Sequence, residues 1–127
     1  MAKAKYHNQR TRTSDGIVHD SKKEAMRWCE LKMLERAGKI TDLQRQVEYE
    51  LIPNQFETIE RYGKNGNRLR DGIKVLERRV CYVADFVYHD AKTGELIVED
   101  TKGVKTKDYI IKRKLMLWLY SIRVKEI

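Results

Sequence analysis

A chain of 127 residues and 15.1 kDa is one domain's worth of protein, enough to bury a single core and too short for a second beside it. Hydrophobic residues at 41% and charged residues at 36% exclude a purely disordered tail, and no run nears the roughly 20 apolar residues of a membrane-spanning helix. Lys and Arg number 27 against 19 Asp and Glu, a formal charge of +8 that points to a polyanionic partner, nucleic acid or an anionic membrane surface. The N-terminus lacks the apolar core of a signal peptide, so a cytoplasmic protein without a membrane anchor is expected. Cys29 and Cys81 lie in apolar segments with no Cys-x-x-Cys pair and read as reduced core residues.

In chain order, residues 1–20 are polar and basic without apolar periodicity and read as a flexible basic arm; residues 21–127 form the single domain. Ser21 and Glu24 are spaced as a capping box and Gly38 as a helix stop, which predicts a helix near residues 21–37. Its apolar residues cover more than one narrow stripe, implying contact on more than one side. Val47, Tyr49 and Leu51 alternate with Gln46, Glu48 and Glu50 before Pro53, a half-buried strand from Arg45 to Ile52. Residues 54–74, rich in Gly, Asn and charge, read as a long mobile loop or irregular hairpin inserted in the domain. A β-rich stretch at 75–90 pairs through the turn Asp90–Gly94 with a short strand at Leu96–Glu99. A second helix between Thr106 and Tyr120 and a last strand over Ile122–Ile127 complete the order helix, strand, strand, strand, helix, strand.

Asp85 is the one charged residue in the otherwise apolar or aromatic stretch from Val80 to Tyr88, and a lone carboxylate in a central strand is unfavourable unless something pairs with it. If the turn is centred between Lys92 and Thr93, Asp85 falls opposite Asp100, with Cβ atoms about 4.5 to 5.5 Å apart. Alternation then puts Asp100 and Lys102 on the face of Asp85 and sends Glu99 and Thr101 the other way. Two opposed carboxylates ask for a cation, and Mg²⁺, for which Mn²⁺ often substitutes, typically takes one or two of them. A neighbouring Lys ammonium suits phosphodiester hydrolysis. The plainer alternative is a salt bridge from Lys102 to Asp100, with Asp85 at a frayed strand end.

Asp85 followed by Asp100-Thr101-Lys102 on this element order resembles the PD-(D/E)XK nuclease superfamily. Asp20-Ser21-Lys22-Lys23-Glu24-Ala25, Tyr82-Val83-Ala84-Asp85-Phe86 and Val98-Glu99-Asp100-Thr101-Lys102-Gly103 are similar to a group of small phage and prophage proteins, long filed as a domain of unknown function, that resemble endonucleases resolving branched DNA such as Holliday junctions. The likeness spans roughly residues 19–127, and Ala84 stands where the superfamily name has Pro. It implies an α/β (α+β) restriction-endonuclease-like core, a mixed sheet flanked by helices, in a protein of the bacterial host's cytoplasm. By the same resemblance Asp85 and Asp100 are metal ligands, Lys102 the catalytic cation and Glu24 an auxiliary acid and ligand; the cap alone also accounts for Glu24. Gln46 matches a polar position near the metal in some members, although a solvent-facing strand Gln is the simpler reading, and His19 and His89 receive no role.

Lys105, Lys107, Lys112, Arg113 and Lys114 on the second helix, with Arg68 and Arg70 on the loop, are candidate phosphate contacts. The expected protein is therefore a Mg²⁺-dependent endodeoxyribonuclease, structure-selective or nicking. The alternatives are a non-catalytic nucleic-acid-binding accessory protein of phage replication or packaging on the same fold, or a protein-interaction module. One site cuts one strand, so a homodimer is expected, with the first helix and the 54–74 loop as contact surfaces.

Overall fold

A computed structural model describes residues 9–127. Helix α1 spans Lys22–Arg36: Ser21 Oγ accepts from the Glu24 N–H at 3.1 Å, and Gly38, at φ +74°, closes the C-terminus with Lys39 N–H donating to Leu34 C=O. Strands β3 (Ile40–Ile52), β6 (Val80–Asp90), β7 (Leu96–Asp100) and β8 (Lys125–Glu126) form one mixed sheet in the order β3-β6-β7-β8. Helix α2, Lys107–Tyr120, is capped by Thr106 and carries the chain from β7 to the parallel strand β8. The sequence of α1, β3, β6, β7, α2 and β8 is the predicted element order on an α+β sheet. Among the described residues no helix is long and apolar enough to cross a membrane.

The β6–β7 hairpin has the register its turn predicts. Asp90 Oδ1 accepts from the Lys92 and Thr93 N–H groups, Gly94 takes φ +75°, and Phe86 pairs with Glu99, Val87 with Val98 and Tyr88 with Ile97. Asp85 and Asp100 stand one step beyond the last of these pairs.

Each face of the sheet holds one apolar cluster. Tyr82, Ala84, Val87 and Val98 pack with Tyr109 and Met116 of α2, whereas Phe86 and Tyr88 pack with Trp28 and Leu31 of α1. Ala84 and Phe86 share parity yet serve opposite clusters, and so do Val47 and Leu43 on β3. The change of side falls where Gln46 faces Asp85, between the pairs Arg45–Phe86 and Val47–Ala84; the register is unchanged across it, and Gln46 takes a left-handed φ of +54°.

Three expectations are corrected and one is narrowed. Residues 11–19 are a docked hairpin, not a flexible arm: β1 (Thr11–Arg12) pairs with β2 (Val18–His19), Trp28 Nε1 donates to Asp15 at 2.6 Å, and His19 is fully buried. The first eight residues of the expected arm lie outside the described residues. Of the two readings of residues 54–74 the irregular hairpin holds and the mobile loop does not: β4 (Gln55–Ile59) and β5 (Gly72–Glu77) form a two-stranded ribbon extended by a Tyr62–Arg68 bridge. Cys29 is exposed and Cys81 only half-buried; an apolar neighbourhood in sequence did not place either on a packed face. Thr101 does not point away from Asp85: β7 ends at Asp100, and beyond it strand alternation no longer applies.

One buried ion pair joins α1 to the sheet. Glu99, with no exposed surface, accepts from Arg27 Nε at 2.8 Å and Nη2 at 2.7 Å, and Tyr88 donates its hydroxyl to the same carboxylate. Removing one partner would leave the other's charge uncompensated. Arg27→Ala should therefore lower stability by about 3 kcal/mol in urea denaturation, and Arg27→Lys should recover only part of it, because an ammonium cannot make the two-pronged contact.

Candidate metal centre

Three carboxylates lie close enough to influence one another around Asp85. The first turn of α1 supplies Glu24, which is buried; its Oε1 accepts from Gln46 Nε2 at 3.2 Å and lies 3.7 Å from His19 Nδ1. Gln46 stays exposed, as expected of a solvent-facing strand residue, and the left-handed step there turns its amide onto Glu24. Asp85, half-buried, accepts at Oδ2 from both the Thr101 N–H and hydroxyl, each at 2.8 Å. Asp100 is 1% exposed; Tyr82 donates its hydroxyl to Oδ2, and Lys102 Nζ lies 3.2 Å from Oδ1. That lysine contact is off hydrogen-bond geometry, so Oδ1 is a buried oxygen with an ion-pair neighbour and no hydrogen bond. Lys102 Nζ also sits 4.8 Å from the centre of the Tyr109 ring.

The crowding of negative charge shows in the protonation equilibria. Burial, then the Asp85 and Asp20 charges, push the Glu24 carboxyl up to about 7. Burial and the adjacent Asp85 raise Asp100 to about 6, against the opposing pull of the Tyr82 hydrogen bond and Lys102. Burial followed by the Asp100 hydrogen bond raises the Tyr82 phenol, keeping it a donor. Burial, then Arg45, hold the His19 imidazole below its ordinary value.

These residues fit a hard divalent cation. They are oxygen donors, two adjacent carboxylates and a third nearby, and the orphaned Asp100 Oδ1 is a buried acceptor without a donor. Among the described residues no three His, Cys, Asp or Glu side chains converge at metal-binding distances; Asp85 Oδ2 is turned to Thr101, Asp100 Oδ2 to Tyr82, and Glu24 Oε1 to Gln46.

The predicted phosphate contacts separate into two sets. Lys105 and Arg113 are committed to Glu126, at 3.3 and 3.0 Å, and Arg68 to Asp71 and Glu60, at 2.8 and 3.9 Å. Lys112 lines a pocket of about 290 Å³ with Tyr82, Asp100, Lys102, Thr106 and Tyr109. Lys107, Lys114 and Arg70 are exposed. Sequence reasoning missed the roles of His19, Tyr82 and Thr101, whose contacts join separate elements; only Thr101, inside the motif, offered a local signal.

The chain belongs to the family described as "Protein of unknown function (DUF1064)", whose model matches residues 3–126. No curated protein and no solved structure matches it.

In the metal-free protein Glu24 and Asp100 hold protons to higher pH than they would in the unfolded chain. Their contribution to stability is therefore present below about pH 4 and is lost as pH rises through about 6 and 7. Carbon-13 carboxyl titration should find the Glu24 midpoint near 7 and lower in Asp85→Asn, which removes a neighbouring negative charge. A Glu24 midpoint at the ordinary glutamate value would contradict the crowded site.

Proposed function

We propose that the protein is a metal-dependent endonuclease that hydrolyses phosphodiester bonds in DNA, structure-selective or nicking, on a restriction-endonuclease-like core. The observation that carries this reading is the juxtaposition of Asp85 and Asp100 beside Lys102, with the buried Glu24 raised by the charge of Asp85. The motif likeness and the order of α1, β3, β6, β7, α2 and β8 support it. A pure scaffold has little use for carboxylates that raise one another's proton affinity beneath a single lysine.

Asp85 and Asp100 would hold Mg²⁺ or Mn²⁺, with Glu24 on the α1 side. Such an ion supplies an activated water and charge neutralisation at the phosphate. The chain's own residues do the remaining work. Lys102, beside Asp100 and over the Tyr109 ring, would stabilise charge developing on the phosphate oxygens. Tyr82 fixes Asp100, Thr101 fixes Asp85, and Gln46 orients Glu24. Lys112, on the pocket wall, would meet a flanking phosphate and position the duplex without reading its sequence.

The observation on the side of a non-catalytic nucleic-acid binder is that no three ligand groups converge among the described residues. That alternative predicts DNA binding without Mg²⁺ binding by calorimetry. The nuclease reading predicts Mg²⁺ affinity that rises with pH through about 6 to 7, as protons leave Asp100 and Glu24.

Asp100→Asn and Lys102→Ala should each slow single-turnover cleavage of nicked, flapped or four-way-junction DNA by about a hundredfold or more, with the circular dichroism spectrum and DNA affinity largely kept. Cutting at the wild-type rate by either variant would refute the assignment. One site per chain implies a two-fold dimer for paired cuts, and α1 turns Met26 and Met33 outward. Sedimentation should find two chains per four-way junction; a one-to-one complex making single nicks would reduce the activity to nicking.

A further inference from the structure

The β4–β5 ribbon serves neither core. Its strands pair with each other and with no strand of the main sheet, and every residue of both is exposed except the half-exposed Gly72. It is nevertheless well built. Asn54 Oδ1 accepts from the Arg79 N–H at 2.6 Å across its root, Leu69 N–H donates to Arg61 C=O, and Gly66 turns the tip at φ +77°. The Arg61 side chain crosses close over Gly72, where a Cβ would lie 2.6 Å from it. An isolated two-stranded ribbon gains little stability from itself, yet this one leaves Phe56 paired with Val75 and Thr58 with Ile73, with Phe56 55% and Ile73 74% exposed.

Its charge indicates what covers it. Residues 54–79 carry seven basic and four acidic side chains. Arg68 and Arg79 have carboxylate partners, whereas Arg61, Lys64, Arg70, Lys74 and Arg78 have none within 4.0 Å among the described residues. A second copy of the ribbon would bring like charges together, so a polyanion is the better occupant. Its length suits a duplex. From Gln46 to the end of β3 at Ile52 is about 20 Å of strand, and from Gln55 to Lys64 about 30 Å more, at ~3.3 Å per residue. Laid end to end, these segments would reach past the ~34 Å turn of B-DNA.

We propose that the ribbon is a DNA-contacting arm. Its unpaired cations lie on phosphates about a turn away from the scissile bond, and the apolar side carrying Phe56 and Ile73 lies against the groove, as apolar side chains do in architectural proteins. The proposal rests on the nuclease reading for the location of the scissile bond, and its test depends on binding alone.

The test is a full-length variant carrying Arg61→Gln, Lys64→Gln, Arg70→Gln and Arg78→Gln, all exposed positions, with folding checked by thermal melting. Fluorescence anisotropy in chelator follows binding to 30-base-pair and 10-base-pair duplexes across a salt series. On the long duplex the slope of log affinity against log salt should be shallower than wild type by about 3 to 4, at ~0.9 per phosphate contact; on the short one, which cannot span site and arm, the two proteins should match. An unchanged slope on the long duplex would overturn the arm. So would a loss traced by sedimentation to self-association, which would assign the ribbon to a second copy. A wild-type protein that shows the slope difference but cuts no DNA would leave the arm standing and remove the nuclease reading; cleavage without the slope difference would do the reverse.

Discussion

The candidate site depends on one constraint: the break in strand alternation where Gln46 faces Asp85. A regular strand pair would keep Ala84 and Phe86 on one face and Val47 and Leu43 on one face. Here each pair is divided between the α2 and α1 clusters. The step rotates the ladder so that Asp85 lies at the boundary of both layers. Glu24 arrives from α1, Asp100 faces Tyr82 on the α2 side, and both feel its charge. The backbone cost of a left-handed Gln46 is offset locally, because the same turn delivers its amide to Glu24.

Neighbouring acids on β7 carry different duties because alternation still holds there. Glu99 points to α1 and is satisfied by the fork of Arg27 and the Tyr88 hydroxyl, a closed arrangement with every charge answered. Asp100 points the other way and is answered only in part, by Tyr82 at one oxygen and an off-axis lysine at the other. The first pair sets where α1 sits, and with it how close Glu24 comes to Asp85. Burial at Glu99 therefore serves position, and burial at Asp100 leaves a carboxylate only partly compensated.

The cations are sorted in the same manner. Beside β8, Glu126 takes up Lys105 and Arg113, so the surplus positive charge near the site is smaller than a count along the second helix suggests. The larger unpaired surplus lies on the ribbon, where apolar and basic side chains are interleaved on a projection with no core of its own.

Local chemistry made the scaffold legible in the sequence. Ser21 with Glu24 and Gly38 bounded the first helix; Asp90 with Gly94 set the hairpin turn; and that turn alone settled the register that brings Asp85 beside Asp100. Each of these signals acts within a few residues, through backbone geometry that a short stretch of chain decides for itself. Contacts between distant segments were not legible. His19 meeting Glu24, the Gln46 amide reaching the same carboxylate, Arg27 gripping Glu99 across 72 positions and the N-terminal hairpin docking on Trp28 depend on which faces come together. Periodicity reports whether a side chain turns inward, but which partner waits there is decided by the packing of separate elements, and that only the tertiary structure determined.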